Sequence, residues 1–133
     1  MSSEQDQHDP AVFAFDRIEF DDLAQKSDAP PERIEEAKRA GVSRKQLASG
    51  EGGFYVHFSQ FPAGYVVQPH SHDHDELLIV LEGGCQLSDA GPTLGPRDSV
   101  VLRAGYRYGF ECSPEGMKFF NVRRGVASIA MEP

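Results

Sequence analysis

From Gly52 to Arg124 the chain is a series of short apolar segments, each closed by glycine, proline, serine or aspartate. FYVHFSQF, YVVQPHSH, LLIVL, CQLSD, SVVLRA, YGFEC and MKFFNVRR follow one another with a turn signal about every ten residues. Most of these segments are too short for an ordinary helix, and where polar and apolar residues alternate the period is two, as in half-buried strands. Leu77 to Leu81, apolar throughout, predicts a strand buried on both faces or nearly so. Such a run folds into an all-β barrel or sandwich. A chain of 133 residues forms one such domain with room for a core.

The first part of the chain differs. Residues 1–10, MSSEQDQHDP, are polar and acidic and predict a disordered tail. Phe13, Phe15, Ile18 and Phe20 recur with charges between them, which predicts a half-buried strand. Pro31 to Ala40 predicts a short helix, with Pro31 first, Glu32, Glu35 and Glu36 towards its positive end, Lys38 and Arg39 towards its negative end, and Gly41 after it. Ser43-x-x-Gln46 has the form of a capping box and predicts one more helical turn, ended by Gly50. Residues 11–51 are thus expected as a strand and short helices packed on a barrel of residues 52–133.

Residues 64–83 carry the chemistry: Gly64-YVVQP-His70-Ser71-His72-DHD-Glu76-LLIVLE-Gly83. His70 and His72, at i and i+2 of a strand, share a face and can hold one ion. The three residues after His72 can form a tight hairpin that returns Glu76 facing the same way. Two imidazoles and a carboxylate suit a divalent transition metal.

The spacing G-x5-H-x-H-x3-E-x6-G resembles the first signature of the cupin family and matches it at every position. The resemblance implies a single antiparallel β-barrel of jelly-roll type, often dimeric. It also implies a metal inside the barrel, held by His70, His72, Glu76 and a further histidine from a second signature. That second signature departs from the family in Arg97-Asp98-SVVL-Arg103-Ala104-Gly105-Tyr106-Arg107-Tyr108. Asp98 and Gly105 match; Arg97 and Arg103 stand where the family has glycine and proline, and Tyr108 stands in place of the histidine. No histidine follows residue 74.

The remaining two-histidine, one-carboxylate set leaves coordination positions open, as in non-haem iron oxygenases. Iron is therefore the first expectation, with manganese, nickel or zinc as alternatives. Tyr108 can coordinate as a phenolate, donate a hydrogen bond from a neutral hydroxyl, or fill the interior beside Phe110; the neutral donor is the favoured role. His57 shares its strand face with Tyr55 and Ser59, and is either a base near the site or a histidine satisfied by a neighbour. His74 has the parity of His70 and His72, but falls in the link before Glu76. It is either an exposed loop residue, a replacement ligand or a substrate contact. Arg103 and Arg123 can orient a carboxylate; Gln60 and Asn121 are further wall candidates.

The net charge of −8 disfavours nucleic acid. The five-residue run Leu77 to Leu81 is the longest apolar stretch and cannot span a bilayer. Cys85 and Cys112 form no metal spacing and read as thiols in a reducing cytoplasm. The expectation is a cytoplasmic, homodimeric enzyme, dioxygenase-like, acting on a small oxygenated molecule. Isomerase or lyase chemistry is compatible, and a non-catalytic binding or sensing module is the alternative.

Overall fold

The structure, a computed structural model, describes residues 9–21, 30–88, 90–124 and, by backbone alone, 129–130. Residues 1–8 of the expected tail and most of the link after Asp21 lie outside these. Among the described residues a single α-helix, α1 (Pro31–Ala40), precedes the strands. These are β1 (Ser43–Ser49), β2 (Tyr55–Phe61), β3 (Val66–His72), β4 (Glu76–Leu87), β5 (Thr93–Leu94), β6 (Ser99–Leu102), β7 (Tyr108–Arg123) and β8 (Ile129–Ala130). Every ladder between them is antiparallel. The result is the expected jelly-roll, and no described helix is long and apolar enough to cross a membrane.

The long strand β7 organises the fold. Its first half pairs with β3, its second half with β2, and β4 runs along its other side throughout. Tyr108, Phe110 and Cys112 are buried, and so are Met117, Phe119 and Asn121. Met117 lies five positions after Cys112, an odd offset that would put them on opposite faces of a regular strand. The register slip there, where Cys112 pairs with Cys85 and Met117 with Gly83, restores both to the interior. Leu78, Val80, Leu87, Leu102, Phe110 and Phe119 form the core.

Gly83, the second glycine of the first signature, sits at this irregularity. A Cβ added to it would lie 1.9 Å from the Gly116 carbonyl oxygen, and its φ of +69° is already in the left-handed region. The strands can approach here only with hydrogen at that position.

Four expectations are corrected. Residues 12–20 form no strand; a 3₁₀ turn occupies Phe15–Arg17. Phe15 packs edge-on against Phe58 at 4.9 Å, while the Lys45 ammonium donates to the Phe15 carbonyl and lies over the rings of Phe15 and Phe20. The apolar residues here cover a sheet face and do not extend the ladder. Residues 43–49 are strand β1, because β2 supplies their backbone partners. Gln46 bridges to the Ala48 and Val56 carbonyls and caps no helix. The sheet therefore begins at Ser43. Leu77 to Leu81 is buried on one face only: Leu78 and Val80 are in the core, Leu77 and Ile79 are half-buried, and Leu81 is 40% exposed. Finally, β3 and β4 do not pair with each other among the described residues. The 73–75 link crosses the barrel mouth instead of closing a hairpin.

Candidate metal site in the barrel interior

The site begins with a slip in strand β3. Val67 pairs with Phe110 and His70 with Tyr108, so three residues of β3 span two of β7. Pro69 sits in the slip, where its lack of an N–H breaks no ladder bond. Gly109 lies opposite, and a Cβ there would come within 2.6 Å of the Val67 carbonyl oxygen. The extra residue turns His70 and His72 inward. It also aims the Gln68 carbonyl at His70 Nδ1, 2.8 Å away. A carbonyl only accepts, so His70 Nδ1 carries the proton and Nε2 the bare lone pair. Burial holds the His70 pKa below its ordinary value, which keeps that lone pair available.

Glu76, buried at the start of β4, gathers the other residues. Tyr108 Oη donates to its Oε1 at 3.0 Å, and Asn121 Nδ2 donates to its Oε2 at 3.0 Å. Ser59 Oγ donates to Asn121 Oδ1 at 3.3 Å, fixing which end of that amide faces the carboxylate. Arg123 Nε stands 3.6 Å from Oε2. His72 Nε2 is 3.2 Å from the Tyr108 hydroxyl and 3.7 Å from Glu76 Oε1. Burial, then the charge of Glu76, push the Tyr108 pKa far above that of a free phenol. Tyr108 is a neutral hydroxyl here.

Behind Glu76, Arg123 Nη2 lies 2.8 Å from His57 Nδ1 and 3.1 Å from Nε2, donating to whichever carries the lone pair. Burial first and the Arg123 charge second lower the His57 pKa to about 2. His57 is therefore a neutral acceptor for an interior guanidinium.

Of the residues expected from the sequence, His70, His72, Glu76 and Tyr108 converge, with His57 and Arg123 adjoining them. His74 lies at the mouth, its ring 5.2 Å from that of His72. Arg103 is exposed on the turn after β6, next to Leu102, which pairs with Glu76, and Gln60 alternates onto the outward face with Phe58. Arg107 and Arg124 are exposed, Arg124 lying 3.7 Å from Asp75. Asn121 and Ser59 matter more than the sequence suggested; the parity they share with His57 and Arg123 across β2 and β7 was the available signal.

Among the described residues, no group of three or more His, Cys, Asp or Glu side chains is placed to hold a metal ion. The donors nevertheless fit one in chemical type. His70 presents a bare Nε2, and the rings of His70 and His72 stand 4.9 Å apart. The Tyr108 hydroxyl lies within hydrogen-bond reach of both His72 and Glu76, so an ion joining those two would compete with it. A separate cleft of about 410 Å³, lined by Gly84, Leu94, Glu111 and Ser113 among others, shares no residue with this cluster.

No family model and no curated protein matches the chain. Solved structures do. The polyketide cyclase RemF from Streptomyces resistomycificus is similar over 91% of this chain and 84% of its own, at 15% identity and a TM-score of 0.68. A proposed acetylacetone dioxygenase from Methylibium petroleiphilum PM1 is similar over 94% and 83%, at 16% identity and 0.68. An RmlC-like cupin from Shewanella frigidimarina NCIMB 400 is similar over 84% and 86%, at 20% identity and 0.60. At these identities the likeness shows a shared fold, the cupin barrel.

Proposed function

We propose that this cupin-fold chain is a metal-dependent enzyme acting on a small oxygenated organic molecule, with His70, His72 and Glu76 as ligands of one divalent transition ion. The supporting observation is His70, whose Nδ1 is tied to a backbone carbonyl so that Nε2 carries the bare lone pair, with the His72 ring 4.9 Å away. Histidines that ligate metals are commonly held in this way through their second nitrogen. When bound, the ion would supply Lewis acidity, and with iron a site for dioxygen; manganese, nickel or zinc would supply the first alone or chiefly.

The chain's own residues supply the rest. Tyr108, held neutral, donates a hydrogen bond and can redirect it from Glu76 to an oxygen of a bound substrate. Asn121 and Arg123 hold Glu76 in one orientation, and the buried Phe110 and Leu102 help exclude water. Oxidation by dioxygen is the first reaction class, in keeping with the similarity to a proposed acetylacetone dioxygenase. Proton transfer beside a carbonyl is the second. The reading includes a cytoplasmic location and a homodimer.

The rival is a binding module with a structural metal or none. The carboxylate favours it, since both Glu76 oxygens already accept hydrogen bonds from the chain. Metal analysis after reconstitution separates the two. The enzyme reading expects close to one equivalent, retained in the wild type and lost in His72→Ala, together with oxygen uptake on diketones or diols by the iron-loaded protein. Less than about a tenth of an equivalent after reconstitution would favour the binding module.

A further inference from the structure

We infer, on the metal-dependent reading above, that His74 is a third imidazole ligand, standing in for the histidine that Tyr108 replaces. His74 repeats the arrangement of His70. Its Nδ1 lies 2.9 Å from Asp73 Oδ1, as His70 Nδ1 lies 2.8 Å from the Gln68 carbonyl. A carboxylate on one imidazole nitrogen raises the donor strength of the other and fixes the ring. His74 Nε2 is buried and has no hydrogen-bond partner among the described residues. A buried polar atom without a partner is unfavourable by about 1–3 kcal/mol, and an ion in the mouth would remove that penalty.

The ring spacing agrees for the two pairs that include His72. A metal–nitrogen bond of about 2.1 Å puts the ring centre about 3.2 Å from the ion, so two rings on one ion stand about 4.5–5.2 Å apart. The observed separations are 4.9 Å from His70 to His72 and 5.2 Å from His72 to His74. The backbone around His74 is pinned from the facing turn. Gly105 N donates to the His72 carbonyl at 2.8 Å, and Ala104 N donates to Asp75 Oδ1 at 2.9 Å.

The test is cobalt(II) binding to the full chain, followed by visible absorption and by competition with a chelating indicator. His74→Ala should weaken cobalt binding at least about 100-fold and change the intensity of the visible band. Asp73→Asn, which keeps the imidazole, should weaken it by about 10- to 100-fold. Both variants should keep the wild-type melting temperature without metal to within a few degrees. His74→Gln serves as a second side chain if the alanine variant folds poorly. Wild-type affinity and spectrum in both His74 variants, with binding lost in His72→Ala, would overturn the assignment of His74 and leave the metal site standing. A wild-type protein that takes up no cobalt would overturn both.

Discussion

His57 makes the acid sensitivity of this barrel calculable. It is buried beside the Arg123 guanidinium, and its pKa falls to about 2 from an ordinary 6.5. In the unfolded chain the imidazole takes up a proton near 6.5; in the folded chain it stays neutral down to about 2. Within that window the unfolded state binds one more proton, so stability is full above about 6.5 and falls as pH drops. At pH 5.5, one unit below the unfolded value, this loss is RT ln 11, about 1.4 kcal/mol; at pH 7.5 it is under ~0.1 kcal/mol. Glutamine at this position keeps an acceptor for Arg123 and does not titrate. Urea denaturation of wild type and His57→Gln at both pH values reads the difference and stays above the isoelectric point near 5.0. Wild type should lose about 1.4 kcal/mol more than the variant between pH 7.5 and 5.5. The lowered pKa of His70 acts in the same direction in both proteins and cancels. Equal losses in the two would refute the buried neutral imidazole.

Gly83→Ala should destabilise by 3 kcal/mol or more, roughly, read as a shift in urea midpoint, because its Cβ would strike the Gly116 carbonyl. Arg97→Gly should stabilise by roughly 1 kcal/mol by the same measurement, since Arg97 holds φ +73° where the cupin signature has glycine. Tyr108→Phe should cost about 1–3 kcal/mol without metal, by leaving Glu76 Oε1 unsatisfied. Zinc or manganese should then raise its melting temperature more than that of wild type, because an ion takes the vacated place. An equal or smaller rise would count against the hydroxyl as the group an ion displaces.

The barrel was legible because its signals are local. Period-two alternation and the turn residues depend on a few neighbours, and so does the donor spacing of residues 70–76. The failures are places where a distant partner decides. Ser43-x-x-Gln46 satisfies a helix-start rule, but β2 pairs with five residues of β1, and Gln46 reaches Val56 across the ladder. Phe13 to Phe20 alternates like a strand, yet Lys45 draws Phe15 and Phe20 into a cover over the sheet. Within the site, the proposed ligand set could be read from spacing. Asn121 and Arg123 could be read as interior candidates but not as partners of Glu76, because they lie more than forty residues further along the chain and meet it only through the register of β4 with β7.

That register couples a signature glycine to the chemistry of the site. Glu76 pairs with Arg123 and Leu78 with Asn121 in one register, and Gly83 meets Met117 beyond an irregularity between Val80 and Glu82; a slip of one residue would turn Asn121 and Arg123 outward and bring Phe120 and Val122 in. Gly116, which blocks any side chain at Gly83, is itself packed so that a Cβ would lie 2.5 Å from the Phe61 carbonyl oxygen. Phe61 ends the strand that holds His57 and Ser59. Close backbone contacts at the far end of β4 and β7 thus set which side chains surround Glu76, some seven residues away along β4. A substitution at Gly83 that the fold survived by slipping the strands would leave His70 and His72 in place on β3 and remove Asn121 and Arg123 from Glu76. The first signature's second glycine acts at this site through alignment, by holding the carboxylate's partners on the inner face.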